Sequence, residues 1–267
     1  MTSLSFTSCI APNQDYIWSS VLAYLAEKLA QPINFVADLD WPLRYAALDA
    51  GEIQIAAICG APYVRRQSLP SPTVYLLSAP FFRAALYDGR PVYYSDLIVH
   101  IDSNFHTFAD LHHASFAFND EGSFSGYEAM RYYLASKGEK GDYFSQAIQS
   151  GSHRNSIQMI LDRTADCAAI DSTMFEQALV DAPEIASQLR VVELIGPNPM
   201  LPWVASTTLE PVLRTQLRQE LTTMHDDPAG ASLLYATPVA RFAPVTDADY
   251  DPMRQMLKLA ATIEFKI

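Results

Sequence analysis

The chain has 267 residues, 49% of them hydrophobic and 18% charged, the balance of a globular protein able to bury one large core or two smaller ones. Its formal net charge of -12 at pH 7 repels phosphate backbones and anionic lipid surfaces, which argues against nucleic acid or membrane as partners. A small anion is still admissible, because distant surface charge is screened over about 10 Å while helix N-termini and backbone N-H groups act at contact.

In chain order, Leu4 to Ile10 reads as a strand, and Ile17, Val21, Leu25 and Leu29 recur every four residues through an amphipathic helix from Asp15 to Ala30. Ile33 to Ala37 is a second strand, after which Asp40 supplies an N-cap ahead of Trp41-Pro42 and Gly51 a stop. Ile53 to Cys59 is a continuous apolar run closed by Gly60-Ala61-Pro62 before Tyr63, the pattern of a strand buried on both faces of a parallel sheet. The alternation repeats with strands at Tyr93 to Ile101 and Ser115 to Phe118, a helix from Phe124 to Ser136, and a strand at Ala147 to Ser150. A helix at Arg154 to Asp162, a strand at Cys167 to Ile170 and a helix at Thr173 to Val180 follow, an α/β order with right-handed crossovers expected. Beyond a strand at Arg190 to Ile195, the three prolines of Gly196 to Pro202 exclude helix, and this segment reads as a crossing between lobes before a short strand at Trp203 to Ser206. Helical periods at Glu210 to Met224, Pro228 to Tyr235 and Asp249 to Ala261 are expected to pack on the first lobe.

Three strand-to-helix turns carry the polar residues. Asn119 to Tyr127 follows a strand and opens a helix, whose end leaves about four N-H groups unpaired and roughly half a positive charge. Ser123 and Ser125 are there either to hold an oxyanion or simply to cap the helix, and Asp120 and Glu121 are expected to face solvent. Ser150-Gly151-Ser152-His153 puts His153 at the same sheet edge, where open α/β sheets bind their ligands, though a histidine taken alone in such a turn is more often a cap or a surface residue. Asp171, in the third turn, is either an N-cap or an acceptor for a protonated ligand oxygen. Serine, histidine and aspartate together suggest a hydrolase, but Phe124 occupies the nucleophile position of a G-x-S-x-G elbow, so no catalytic residue is assigned. Cys9, Cys59 and Cys167 are odd in number and scattered, which fits buried thiols. His106, His112 and His113 lack zinc-site spacing, and the phosphate-loop and dinucleotide glycine motifs are absent, so neither metal nor cofactor is expected.

Taken in order, Gly51 to Ala56, Tyr93 to Val99, Gly122 to Tyr127, Ser150 to His153, Ala169 to Thr173 and Pro244 to Pro252 resemble the phosphonate, phosphite and phosphate solute-binding proteins of ABC importers, from about Leu4 to about Leu259. The resemblance implies an α/β, two-lobed type II periplasmic-binding-protein-like fold, each lobe a mixed, mostly parallel sheet flanked by helices. Residues 1-92 plus 203-267 would form lobe 1 and residues 93-202 lobe 2, with a ligand cleft and hinge between them. It further implies a monomer without enzymatic activity that captures a small phosphorus oxyanion and hands it to an ABC transporter permease. Carried over residue by residue, Tyr93 matches the family's cleft tyrosine, Ser123 and Ser125 two of its oxyanion donors, and His153 its cleft histidine. Trp41 stands where relatives have an aromatic residue, Tyr63 would line the cleft, and Asp171 completes the expected ligand set. Phe124 replaces a threonine, removing one hydroxyl donor while keeping its backbone N-H. The Pro197 to Pro202 segment lacks the acid that aminoalkyl-phosphonate binders place there, which disfavours 2-aminoethylphosphonate. The resemblance implies a periplasmic location. The first residues show no export signal, so a cytoplasmic location is expected if Met1 is the native start, with a sensor or binding protein for a different small ligand as the alternative role.

Overall fold

The computed structural model describes residues 3-10 and 12-265. The chain divides into two compact units, the first running up to Val92 and including Pro199–Asp251, the second comprising Tyr93–Asn198 and the segment from Pro252 onward.

In chain order the elements are β1 (Leu4–Ser8), α1 (Asp15–Lys28), β2 (Ile33–Phe35), α2 (Trp41–Ala50), β3 (Ile55–Ala57), α3 (Gly60–Gln67), β4 (Val74–Phe82), β5 (Val92–His100), β6 (Ser115–Phe118) and α4 (Ala129–Lys137). They continue with β7 (Gln146–Gln149), α5 (His153–Leu161), β8 (Cys167–Asp171), α6 (Ser172–Asp181), β9 (Leu189–Pro199), β10 (Trp203–Ser206), α7 (Pro211–Thr223), α8 (Pro228–Tyr235), β11 (Val239–Ala243) and α9 (Asp251–Ala260).

The first unit holds a six-stranded sheet in the order β11-β4-β10-β3-β1-β2. β1 runs parallel to β2 and β3, whereas β10, β4 and β11 join antiparallel. The parallel character expected from the sequence is therefore confined to the βα repeats at the start of the chain; the strands that return late pair the other way, and the sheet is mixed. β4 and β11 have no counterpart in the sequence reading. Pro80 lies inside β4, opposite Phe242 of β11, and a proline ordinarily counts against a strand away from edges and bulges.

Trp203 is the anchor of this unit, with 0% of its surface exposed. Its ring packs on Phe6 (4.7 Å between centroids), Trp18 (5.6 Å) and Phe242 (5.4 Å), joining β1, α1, β10 and β11. Gly51 ends α2 in the left-handed conformation, φ +79°, against Thr208, as its place at a helix stop requires.

The second unit holds the five-stranded sheet β7-β6-β8-β5-β9. β6 is parallel to both β7 and β8, and β5 is antiparallel to β8. The carboxyl ends of β6, β7 and β8 therefore share one edge, and each leads into a helix. Ile98, Ala117, Ile157, Ile160, Ile170 and Phe175 form the apolar core on one face.

The last segment corrects the expected partition. Residues from 203 on were assigned to the first lobe, yet the segment from Pro252 belongs to the second unit. Arg131 Nε donates to the Ile263 carbonyl at 2.7 Å, and the Phe265 ring packs on Phe116 and Tyr127. The other late helices stay with the first unit, α7 against β4 and β11 and α8 against α1. Among the described residues no helix is long and apolar enough to cross a membrane.

Truncating the anchor tests this account of the first core. Trp203→Ala should cost about 3 to 5 kcal/mol, the usual range for emptying a buried aromatic site, read as a lower urea midpoint with the same slope.

Candidate functional site

The edge of the second unit where β6, β7 and β8 end is built by backbone bonds that continue the β6–β7 pairing past the strands. Ser150 N donates to the Phe118 carbonyl at 2.8 Å and Gly151 N to the Asn119 carbonyl at 2.9 Å. The loop carrying His153 is thereby zipped to the loop carrying Ser123 and Ser125.

After Asn119 the chain does not enter a plain α-helix as expected. Residues Phe124–Glu128 form a π-helical turn before α4 begins, with Glu128 N donating to the Ser123 carbonyl at 3.2 Å. Such widened turns recur at functional sites. Ser123 caps it, its Oγ accepting from Gly126 N at 3.2 Å. The Asp120 carboxylate accepts from Gly122 N at 2.6 Å, holding the approach to the turn.

Ser125, 3% exposed, has its Oγ 3.0 Å from His153 Nε2. His153 is the first residue of α5, placed there by Ser152, whose Oγ accepts from Asn155 N at 3.1 Å. At 7% exposure the imidazole is desolvated, which pushes its pKa down to about 4 and keeps it neutral at pH 7. Its Nδ1 has no hydrogen-bond partner.

Gly126 is where this geometry needs the absence of a side chain. A Cβ there would lie 1.9 Å from Asn119 Oδ1 and 3.2 Å from His153 Cε1. Asn119, 5% exposed, presents an Oδ1 that also makes no hydrogen bond. Two buried polar atoms without partners, Asn119 Oδ1 and His153 Nδ1, thus lie beside the serine-histidine pair, and such atoms call for an explanation. Asn119 stood inside the segment singled out in the sequence, but nothing in the sequence separated it from its neighbours.

The remaining residues of the expected set divide between the units. Asp171 is the cap of α6, its Oδ1 accepting from Thr173 N at 2.9 Å and Thr173 Oγ1 at 2.7 Å, and burial raises its pKa to about 6. Tyr93 is fully buried at the start of β5, and Phe124 is buried within the turn. In the first unit Trp41 opens α2, and the buried Tyr63 donates its hydroxyl to Asp247 Oδ1 at 2.8 Å with its ring against Tyr250. The structure thus joins Ser125 to His153, holds Ser123 as the cap of the same turn, and puts Asp171 at the start of a further helix at that edge.

Asp96 escaped the sequence reading, although a carboxylate inside the apolar run of β5 is a visible anomaly. It is buried, its Oδ1 has no partner, and its pKa is pushed up to about 8 by burial first and then by the negative charge of Asp171 and Glu176. Among the described residues no group of three or more histidine, cysteine or acidic side chains could hold a metal ion.

A family model described as the periplasmic substrate-binding protein of phosphonate ABC transporters matches residues 6–250. The chain belongs to this family. Solved structures with the same type II periplasmic binding fold include a binding-protein component of an ABC phosphonate transporter from Pseudomonas aeruginosa, at a TM-score of 0.82 and 19% identity over 97% of this chain and 86% of that one. PhnD1 from Prochlorococcus marinus, in complex with methylphosphonate, matches at a TM-score of 0.79 and 17% identity over 98% and 99% of the two chains. A protein from Xanthomonas citri bound to ATP matches at 0.75 and 17% over 98% and 97%.

Two measurements probe this edge. Gly126→Ala forces the Asn119 amide and the His153 ring aside and should cost about 1 to 3 kcal/mol, read by calorimetry as a melting point several degrees lower. Asp96 holds its proton more tightly in the folded than in the unfolded chain, so its contribution to stability is complete below about pH 4 and is lost as pH rises to about 8. Asp96→Asn should therefore flatten the decline in melting temperature between those limits and raise the midpoint at pH 8.

Proposed function

We propose that the chain captures a small phosphorus oxyanion, a phosphonate ahead of phosphite or phosphate, and delivers it to an ABC importer permease. The observation that carries this reading is the neutral donor set at one sheet edge: Ser123 at the mouth of the π-turn, Ser125 bonded to His153 at 3.0 Å, and a buried imidazole with one nitrogen unsatisfied. Serine hydroxyls, an imidazole N-H and the N-H groups of two helix starts suit three tetrahedral oxygens. In this reading Phe124 contributes through its backbone, Asp171 fixes the start of α6, and Tyr93 is a further ligand contact. The methylphosphonate held by PhnD1 supports a phosphonate as the ligand. The ATP held by the Xanthomonas citri protein favours a nucleotide phosphate as the second reading.

Thermal unfolding with millimolar methylphosphonate, phosphite, phosphate and ATP in parallel separates these. A ligand at about 100 times its Kd adds roughly 2.7 kcal/mol, several degrees for a chain of this length at about 2 to 4 °C per kcal/mol. Methylphosphonate should give that shift, and Ser125→Ala and His153→Ala should each abolish most of it. A shift with ATP alone would replace phosphonate by nucleotide, and no shift with any of the four would sink the phosphorus reading.

A further inference from the structure

A phosphonate exists in water as a monoanion or a dianion, and the charges around the candidate site discriminate between them. Every donor gathered at that edge is uncharged: the hydroxyls of Ser123 and Ser125, the neutral His153 ring, and backbone N-H groups whose helix dipoles each offer about half a positive charge.

The ionisable surroundings are acidic. Asp120 and Glu121 precede the turn. Glu128 ends it, held in an ion pair with Arg131 at 2.9 Å. Asp171 and Asp96 lie on β8 and β5, and burial first, then the negative charge of Glu176 on α6, raises the proton affinity of both, with Asp171 adding to the effect on Asp96. Arg154, next to His153, is exposed. Arg163 is paired with Asp102, Arg190 donates to the carbonyls of Ile101 and Phe105, and Lys137 lies over the Tyr133 ring.

A dianion placed on these uncharged donors gains no full counter-charge from them, and in a partly desolvated site that cost is several-fold larger than in water. A monoanion halves the charge and brings an O-H donor. The site contains a buried acceptor with nothing to accept, Asn119 Oδ1, against Gly126 beside the His153 ring; a dianion has no proton to offer it.

Building on the phosphonate reading, we propose that the site selects the singly protonated, monoanionic form of its ligand. The class of ligand is thereby narrowed to phosphonates that keep a proton at the working pH, and capture weakens where the ligand becomes a dianion.

The test is isothermal titration calorimetry with methylphosphonate and with chloromethylphosphonate, a stronger acid through its electron-withdrawing chlorine, from about pH 5.5 to about pH 9. Below each ligand's second ionisation Kd should be constant; above it Kd should rise about tenfold per pH unit, as linkage to one proton requires. The break should come at lower pH for chloromethylphosphonate. A Kd that stays flat or tightens through the ionisation overturns the proposal. So does a break at one shared pH for both ligands, since that belongs to a protein group such as Asp96 or Asp171. Absence of heat with both ligands at every pH, from folded protein, removes the phosphonate reading itself and this inference with it.

Discussion

The register of β6 against its two parallel neighbours is the constraint on which the candidate site depends. With β7 on one side and β8 on the other, three strand ends and three helix starts share one edge. Two further backbone bonds, from Ser150 N and Gly151 N, lock the flanking loops together. A shift of one residue in β7 would turn its side chains to the opposite face and carry His153 away from Ser125.

The electrostatics follow from that frame. A protein of net charge -12 offers an anion little long-range attraction, and the donors of the proposed site are hydroxyls, an imidazole and peptide N-H groups. Burial performs the tuning: the same desolvation that keeps His153 neutral also keeps Asp96 and Asp171 protonated to higher pH than usual.

Much of this was legible in the residues. The βα alternation, the breaks at Gly51 and Pro197, and the polar strand-to-helix turns at 119-127, 150-153 and 171-173 are local patterns, and local patterns are what periodicity and cap chemistry report. Asp171 illustrates the limit: its sequence context allowed a cap or a ligand acceptor, and the geometry that makes it the cap of α6 appears only once Thr173 is in place. β4 was hidden by Pro80, and β11 is a short run whose partner is more than 150 residues away. The attachment of the final segment to the second unit rests on Phe265 and the Ile263 carbonyl, which carry no periodic signal.

The sequence by itself determined the class of fold, the family and the segments from which a site could be made, because these depend on residue order along one strand or helix. Tertiary structure alone decided that Ser125 meets His153 across 28 positions, that the turn carrying Ser125 is π-helical, that Gly126 must lack a side chain to sit beside Asn119, and that Asp96 is buried with its Oδ1 unpaired. Each is a distance between atoms far apart in the chain or a loss of solvent. Neither is defined until the sheet has closed around them.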